Sequence, residues 1–205
     1  EIEYENRSYC LNNSKWYQID RSFETKIKDE YLTISIYGTE LPNYTSNDRT
    51  TYTENEYNED LAQEINAALI HRVGEIPFGG GRGNKIEVCD ILTQNKELIH
   101  IKKSGGSSLL SHLFNQAAVS GEALLDPEFR AKYNSRLQEE GFASYIDNDF
   151  RSNNYTVVLG IISKGNEQRP QIPFFSKVAI RYATKTLSNL GYNVAIRNIH
   201  SEESN

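Results

Sequence analysis

Apolar side chains recur at alternate positions in two neighbouring stretches near the middle of the chain, residues 85–92 (KIEVCDIL) and 97–102 (ELIHIK), with Thr93 to Lys96 between them. Alternation of this kind marks half-buried strands, and the polar quartet supplies a turn. Around this hairpin the period becomes helical. Over 55–72, Leu61, Ile65, Ala68 and Leu69 form an apolar stripe behind a capping box at Thr53 and Glu56. Over 107–125, Leu109, Leu110, Leu113, Phe114 and Ala117 cover a broad face. Asp126-Pro127 then opens a helix that Gly141 closes. Residues 155–162 (YTVVLGII) are apolar without alternation, the mark of a strand buried on both faces. An amphipathic helix over 175–190, stopped by Gly191, and a strand over 193–199 complete a right-handed parallel crossover. At the front, 8–11 and 15–19 flank Asn12-Asn13-Ser14 as a hairpin, and 31–37 (YLTISIY) alternates as a third strand. The expected organisation is an N-terminal β subdomain over 1–40, a linker or flap over 41–56, an α/β core over 57–200 and a polar tail over 201–205.

The central hairpin also carries chemistry. With a turn symmetric about Asn95, Asp90 faces His100, and Lys102 lies diagonal to Asp90. Opposed Cβ atoms sit roughly 5 Å apart and diagonal ones roughly 7 Å. An acid, an imidazole and an amine on an otherwise apolar face make a poor core and a reasonable site; the alternative is a surface hairpin with solvated charges. On the preceding helix, Glu64 at the edge of the stripe or Glu59 one turn earlier could reach such a site. Ser108, His112 and Gln116 step along the next helix at i, i+4 and i+8, and Lys177, Arg181 and Lys185 repeat that spacing later. Either row reads as a substrate contact or as a solvated face. The Gly-rich run 78–83 lacks the Lys-Ser/Thr of a phosphate loop and reads as a loop. Tyr9, Trp16 and Tyr17 read as packing of a small sheet or as a stacking platform for bases.

Composition narrows these options. The net charge is −6, so nucleic acid would have to be held by a local basic surface. At 205 residues and 38% apolar content, the chain suits one domain with an appended subdomain. No apolar run approaches the ~18 residues of a membrane span, and no signal peptide is visible. Cys10 and Cys89 lie far apart, which fits a reduced, cytoplasmic setting. The chain contains no Met, so it reads as a piece of a longer protein.

An Asp at 90, followed ten residues later by His100-Ile101-Lys102, resembles the signature of the restriction-endonuclease-like, PD-(D/E)XK nucleases, with His where Glu or Asp is usual. The order helix, antiparallel hairpin, helix, crossover is similar to their α/β fold, a mixed sheet flanked by helices. That fold needs one more meander strand, expected from 75–78. Four further segments together resemble a sporadically distributed bacterial family that accompanies mobile elements and phage defence. They are Glu56-Tyr57-Asn58-Glu59, 86–92, 98–114 with Gln116, and 173–177 with Gly191-Tyr192-Asn193-Val194, spread over roughly 55–200. One departure is Ile70-His71-Arg72, where that family often has an acid.

These resemblances imply a metal-dependent nuclease domain of a prokaryotic defence or mobile-element protein. Asp90 would bind a divalent ion with His100 as second ligand and Glu64 or Glu59 completing the set. Lys102 would orient water or stabilise charge on phosphate. The ion would be Mg²⁺ or Mn²⁺, with an imidazole ligand favouring Mn²⁺. Nucleic acid, DNA ahead of RNA, would meet Lys103, Ser107, Ser108, His112, Gln116, Lys177, Arg181 and Lys185. A partner protein or a homodimer is compatible with this, and a membrane is not expected. The rival is a catalytically inactive nucleic-acid-binding or protein-interaction module on the same fold.

Overall fold

The computed structural model describes residues 2–202 apart from 6, 13, 46–50, 78–84 and 144, and describes only the backbone of Arg72. At the front, β1 (Ile2–Tyr4), β2 (Arg7–Asn12) and β3 (Lys15–Ile19) form a three-stranded antiparallel sheet, with Leu11 opposite Trp16 and Cys10 opposite Tyr17. Asp20 then starts α1 (Arg21–Thr33), its carboxylate accepting from the N–H groups of Ser22 and Phe23. The expected third strand over 31–37 is therefore corrected. Phe23, Ile27 and Tyr31 stand at helical spacing, and the helix they form runs through Thr33. Only β4 (Ser35–Ile36) is extended, and it pairs in the large sheet.

The capping box opens α2 (Glu54–Glu64) as expected: Thr53 Oγ1 accepts from the Glu56 N–H, and the Glu56 carboxylate accepts from the Thr53 N–H. The helix does not continue to Arg72. Asn66 takes a φ of +50°, and the chain enters β5 (Ala68–Leu69) and the one-turn α3 (Ile70–Val73). The apolar pair Ala68-Leu69 suits a helix stripe and a buried strand equally, and the left-handed turn at Asn66 decides between them. Next, β6 (Ile76–Pro77) pairs with β7 (Lys85–Ile86) outside the large sheet. The third antiparallel strand beside β8 and β9 is therefore β5, while Ile76–Pro77 pairs with β7 instead.

The expected strand 85–92 divides into β7 and β8 (Ile91–Leu92). β8 pairs with β9 (Glu97–Lys103) in the register of a turn symmetric about Asn95, Leu92 opposite Leu98 and Ile91 opposite Ile99. Then follow α4 (Ser107–Ala123), α5 (Pro127–Glu139), β10 (Thr156–Ser163), α6 (Phe174–Asn189) and β11 (Asn193–His200).

The result is an α/β fold around a mixed six-stranded sheet, ordered β4-β11-β10-β9-β8-β5, with the small antiparallel sheet beside it. β4, β11, β10 and β9 run parallel; β8 is antiparallel to β9, and β5 to β8. One face of the sheet, with Leu98, Val157, Leu159 and Ile161, packs on the apolar sides of α4, α5 and α6. The other, with Ile99, Ile101, Val158 and Ile199, packs on Tyr57, Leu61 and Ala62 of α2. β10 is buried on both faces, as its unbroken apolar run requires. α4 and α6 pack closely at Gly121, where a Cβ would lie 2.6 Å from Leu187. α1 lies against α6, and Arg169 donates to the carbonyls of Tyr31, Leu32 and Ile34 at its end. Among the described residues, no helix is long and apolar enough to cross a membrane.

Candidate active site

β8 is only two residues long, so it leaves the side of β9 after Ile99. Beyond that point the amide groups of β9 on this side pair with no strand among the described residues. Two carboxylates take the strand's place. Asp90 Oδ2 accepts from the Ile101 N–H at 2.7 Å, and Glu54 Oε2 accepts from the Lys103 N–H at 2.8 Å. The other oxygen of Glu54 accepts from Lys102 Nζ at 2.6 Å. Glu54 is the first residue of α2, where the exposed N–H groups of the helix favour a negative charge.

Asp90 is half-buried. Burial pushes its pKa up to about 7; the Ile101 N–H pulls it back, the Glu87 and Glu54 charges add to the rise, and Lys102 opposes it. Asn55, Asn58, Glu59, Leu69, His71 and Glu87 join Asp90 around a cavity of about 50 Å³. Burial also raises the Glu87 carboxyl, with His71 pulling it down and Glu75 adding to the rise. Asn58 is 5% exposed, and its Oδ1 has no hydrogen-bond partner.

The structure thus brings Asp90 and Lys102 together and adds Glu54 to them. His100 goes elsewhere. Beside Leu159 on β10, it occupies the face that packs on α4 and α6. It is 4% exposed, with no partner for Nε2, and burial alone lowers its pKa to about 4. It is a neutral imidazole in the core. Glu59 borders the cavity, whereas Glu64 is exposed at the end of α2. Lys103 Nζ lies 4.1 Å from the centre of the Tyr44 ring.

Ser108, His112 and Gln116 are exposed along α4, and Ser107 lines a separate cleft that also contains Lys177. Lys177 lies 5.8 Å from the centre of the Tyr31 ring, Arg181 is ion-paired with Glu30 of α1, and Lys185 is exposed. Glu54 escapes sequence reasoning because it stands inside the capping box, where an acid already has a helix-starting explanation. The Gly-rich run 78–83 lies outside the described residues.

Asp90 and Glu54 together offer carboxylate oxygens, the donor type that hard divalent ions take; Mg²⁺ commonly keeps several waters and uses one or two carboxylates. Among the described residues no three His, Cys, Asp or Glu side chains are grouped to hold a metal. The fit is therefore to a hydrated ion on few protein ligands. Neither a curated protein nor a solved structure matches the chain. Residues 1–200 match the model of a family of unknown function, DUF6119, a span that takes in the small sheet as well as the large one. The chain belongs to that family.

Proposed function

We propose that this protein is a metal-dependent nuclease domain that hydrolyses phosphodiester bonds, in a prokaryotic defence or mobile-element protein. The observation that carries the reading is the meeting of Lys102, Glu54 and Asp90 at the end of β9, where β8 has left the sheet. The element order supports it too. α2, the antiparallel strands β5, β8 and β9, α4 and then the parallel β10 resemble the restriction-endonuclease-like arrangement, with β5 as the strand the hairpin lacks.

In this reading the Ile101 N–H fixes the direction of the Asp90 carboxylate, which with Glu54 offers oxygens to a divalent ion. With His100 buried on the other side, oxygen donors favour Mg²⁺ over Mn²⁺. A bound ion would supply Lewis acidity at the phosphate and a more acidic water. Lys102 is held by Glu54 against free rotation, so its ammonium is positioned before a phosphate arrives and can stabilise the charge that develops on it. DNA, ahead of RNA, would cross the exposed row Ser108, His112 and Gln116, with Lys103 nearby, in the cytoplasm.

The test is cleavage of plasmid and single-stranded DNA and of RNA in Mg²⁺ and in Mn²⁺. Asp90→Ala should lose ion binding in calorimetry and lose cleavage. Lys102→Ala should keep the ion and lose turnover by roughly 10²–10³-fold, the scale of one removed charge-stabilising donor. Equal ion affinity for wild type and Asp90→Ala would overturn the role given to Asp90. One observation favours the inactive module instead: the position that usually carries an acid is here a buried neutral His100. Tight DNA binding with no cleavage in either ion would establish that alternative.

A further inference from the structure

The cavity under α2 is not needed by the chemistry assigned to Lys102 and Glu54. Its walls are nevertheless unlike an ordinary packing defect. α2 contributes Asn55, Asn58 and Glu59, the turn after β5 contributes His71, and the segment before β8 contributes Glu87 and Asp90. Three carboxylates and two amides thus border a space of about 50 Å³. Empty cavities are generally apolar, and a water needs roughly 10–15 Å³ of such space, so the volume suits a small polar cluster. Asn58 supplies the decisive feature. It lines this space at 5% exposure, and its Oδ1 finds no donor in the protein. A buried amide oxygen without a partner costs about 1–3 kcal/mol. A cation would satisfy it and would also answer the charge of the carboxylates beside it, whereas a water proton would satisfy the amide alone.

We infer that this cavity is a cation site, taking a hydrated hard divalent ion through Asn58 Oδ1, Glu87 and Asp90. Amide carbonyls and carboxylates in irregular numbers are the ligand set that Ca²⁺ accepts most readily, while Mg²⁺ would keep more of its waters. Among the described residues no three His, Cys, Asp or Glu side chains are grouped to hold a metal, so the ion would take only Glu87 and Asp90 besides the amide and fill its remaining places with water. Asp90 stands between the two sites, with Oδ2 committed to the Ile101 N–H at the edge of β9. An ion in the cavity would thereby steady the carboxylate that the proposed reaction also uses. The site itself does not depend on that reaction.

Calorimetric titration with Ca²⁺ and separately with Mg²⁺ tests the inference, alongside thermal melts with each ion. Wild type should bind Ca²⁺ and melt higher in its presence. Glu87→Gln, which keeps the side chain's shape, should weaken Ca²⁺ at least 10-fold and lose the melting shift. Asn58→Ala should do the same, and Glu122→Gln, on the exposed side of α4, should leave Ca²⁺ binding unchanged. Absence of Ca²⁺ binding by wild type, or an unchanged affinity in Glu87→Gln, overturns the cation site. Cleavage measured on the same proteins separates the two ideas. An inactive wild type that binds Ca²⁺ through Glu87 sinks the nuclease reading alone, and an active wild type whose Glu87→Gln variant binds normally sinks the cavity site alone.

Discussion

Asp90 stands just before β8 and His100 on β9, and burial shifts them in opposite directions for one reason: each is held away from its charged form. His100 falls from an ordinary 6.5 to about 4, so between those values the unfolded chain binds the extra proton. Its contribution is full above pH ~6.5 and is lost as pH falls towards ~4, about 3 kcal/mol in all. Asp90 rises from 3.8 to about 7, so in that window the folded chain holds the extra proton. Stability from this group is full below pH ~4 and falls as pH rises through ~7, by about 4 kcal/mol at most and less for a group that keeps some solvent. The two slopes oppose each other between pH 4.5 and 6.5. His100→Leu should therefore leave a protein that weakens as pH rises over that range, and Asp90→Asn one that strengthens. Urea unfolding at pH 4.5, 5.5 and 6.5 measures both, and level profiles in both variants would refute the assigned shifts. Strand alternation predicted the pairs Leu92–Leu98 and Ile91–Ile99, but it set Asp90 and His100 on one face, whereas Asp90 takes the Ile101 N–H at the edge of β9 and His100 enters the core. It could not show that α4 and α6 would cover His100, because a face is a local property and its cover is not.

Among the elements, most of the long, strongly patterned ones were read from the sequence, α1 excepted, and the two-residue strands were not. The apolar run of β10, the capping box of α2 and the Asp126-Pro127 start of α5 each carry their own local cause. β5 is two residues long, and neither propensity nor period can announce so short a strand; it is made by the turn at Asn66 and by pairing with β8. The helix α1 was hidden behind the alternation of 31–37, and its presence changes the reading of the basic row on α6. Arg181 is occupied by Glu30, and Lys177 rests on Tyr31, which leaves Lys185 as the exposed member. A row of three free cations should account for up to ~3 units of the slope of log K against log salt on duplex DNA. With α1 in place, replacing Lys177, Arg181 and Lys185 together should flatten that slope by ~1 unit or less. A change near 3 in filter-binding or fluorescence titrations would show that α1 yields to DNA.

On the scale of the whole molecule, individual side chains add specific ties between distant parts of the chain. Arg169, in the loop between β10 and α6, closes the end of α1 by donating to the carbonyls of Tyr31, Leu32 and Ile34. Arg169→Ala should cost about 1–3 kcal/mol through carbonyls left without a donor, and loss of amide protection at residues 31–36 ahead of the core would locate the damage. A stability equal to wild type in urea would show that water replaces the guanidinium. The small sheet meets the core through Cys10, Ile27 and Phe174, a modest cluster beside the two large ones. The match of the family model from residue 1 fits this continuity. β4 has a consequence for biosynthesis. Its ladder partner is β11, and Tyr37 accepts from Arg197 across 160 residues. At ribosomal rates of ~5–20 residues per second, β4 leaves the exit tunnel about 8–30 s before the strand that completes it. Throughout that interval the nascent chain carries Tyr37, Leu41 and Tyr44 without the β11 residues that later cover them. Those hydrophobic positions are where a chaperone would find the growing polypeptide, and where two neighbouring nascent chains would first adhere.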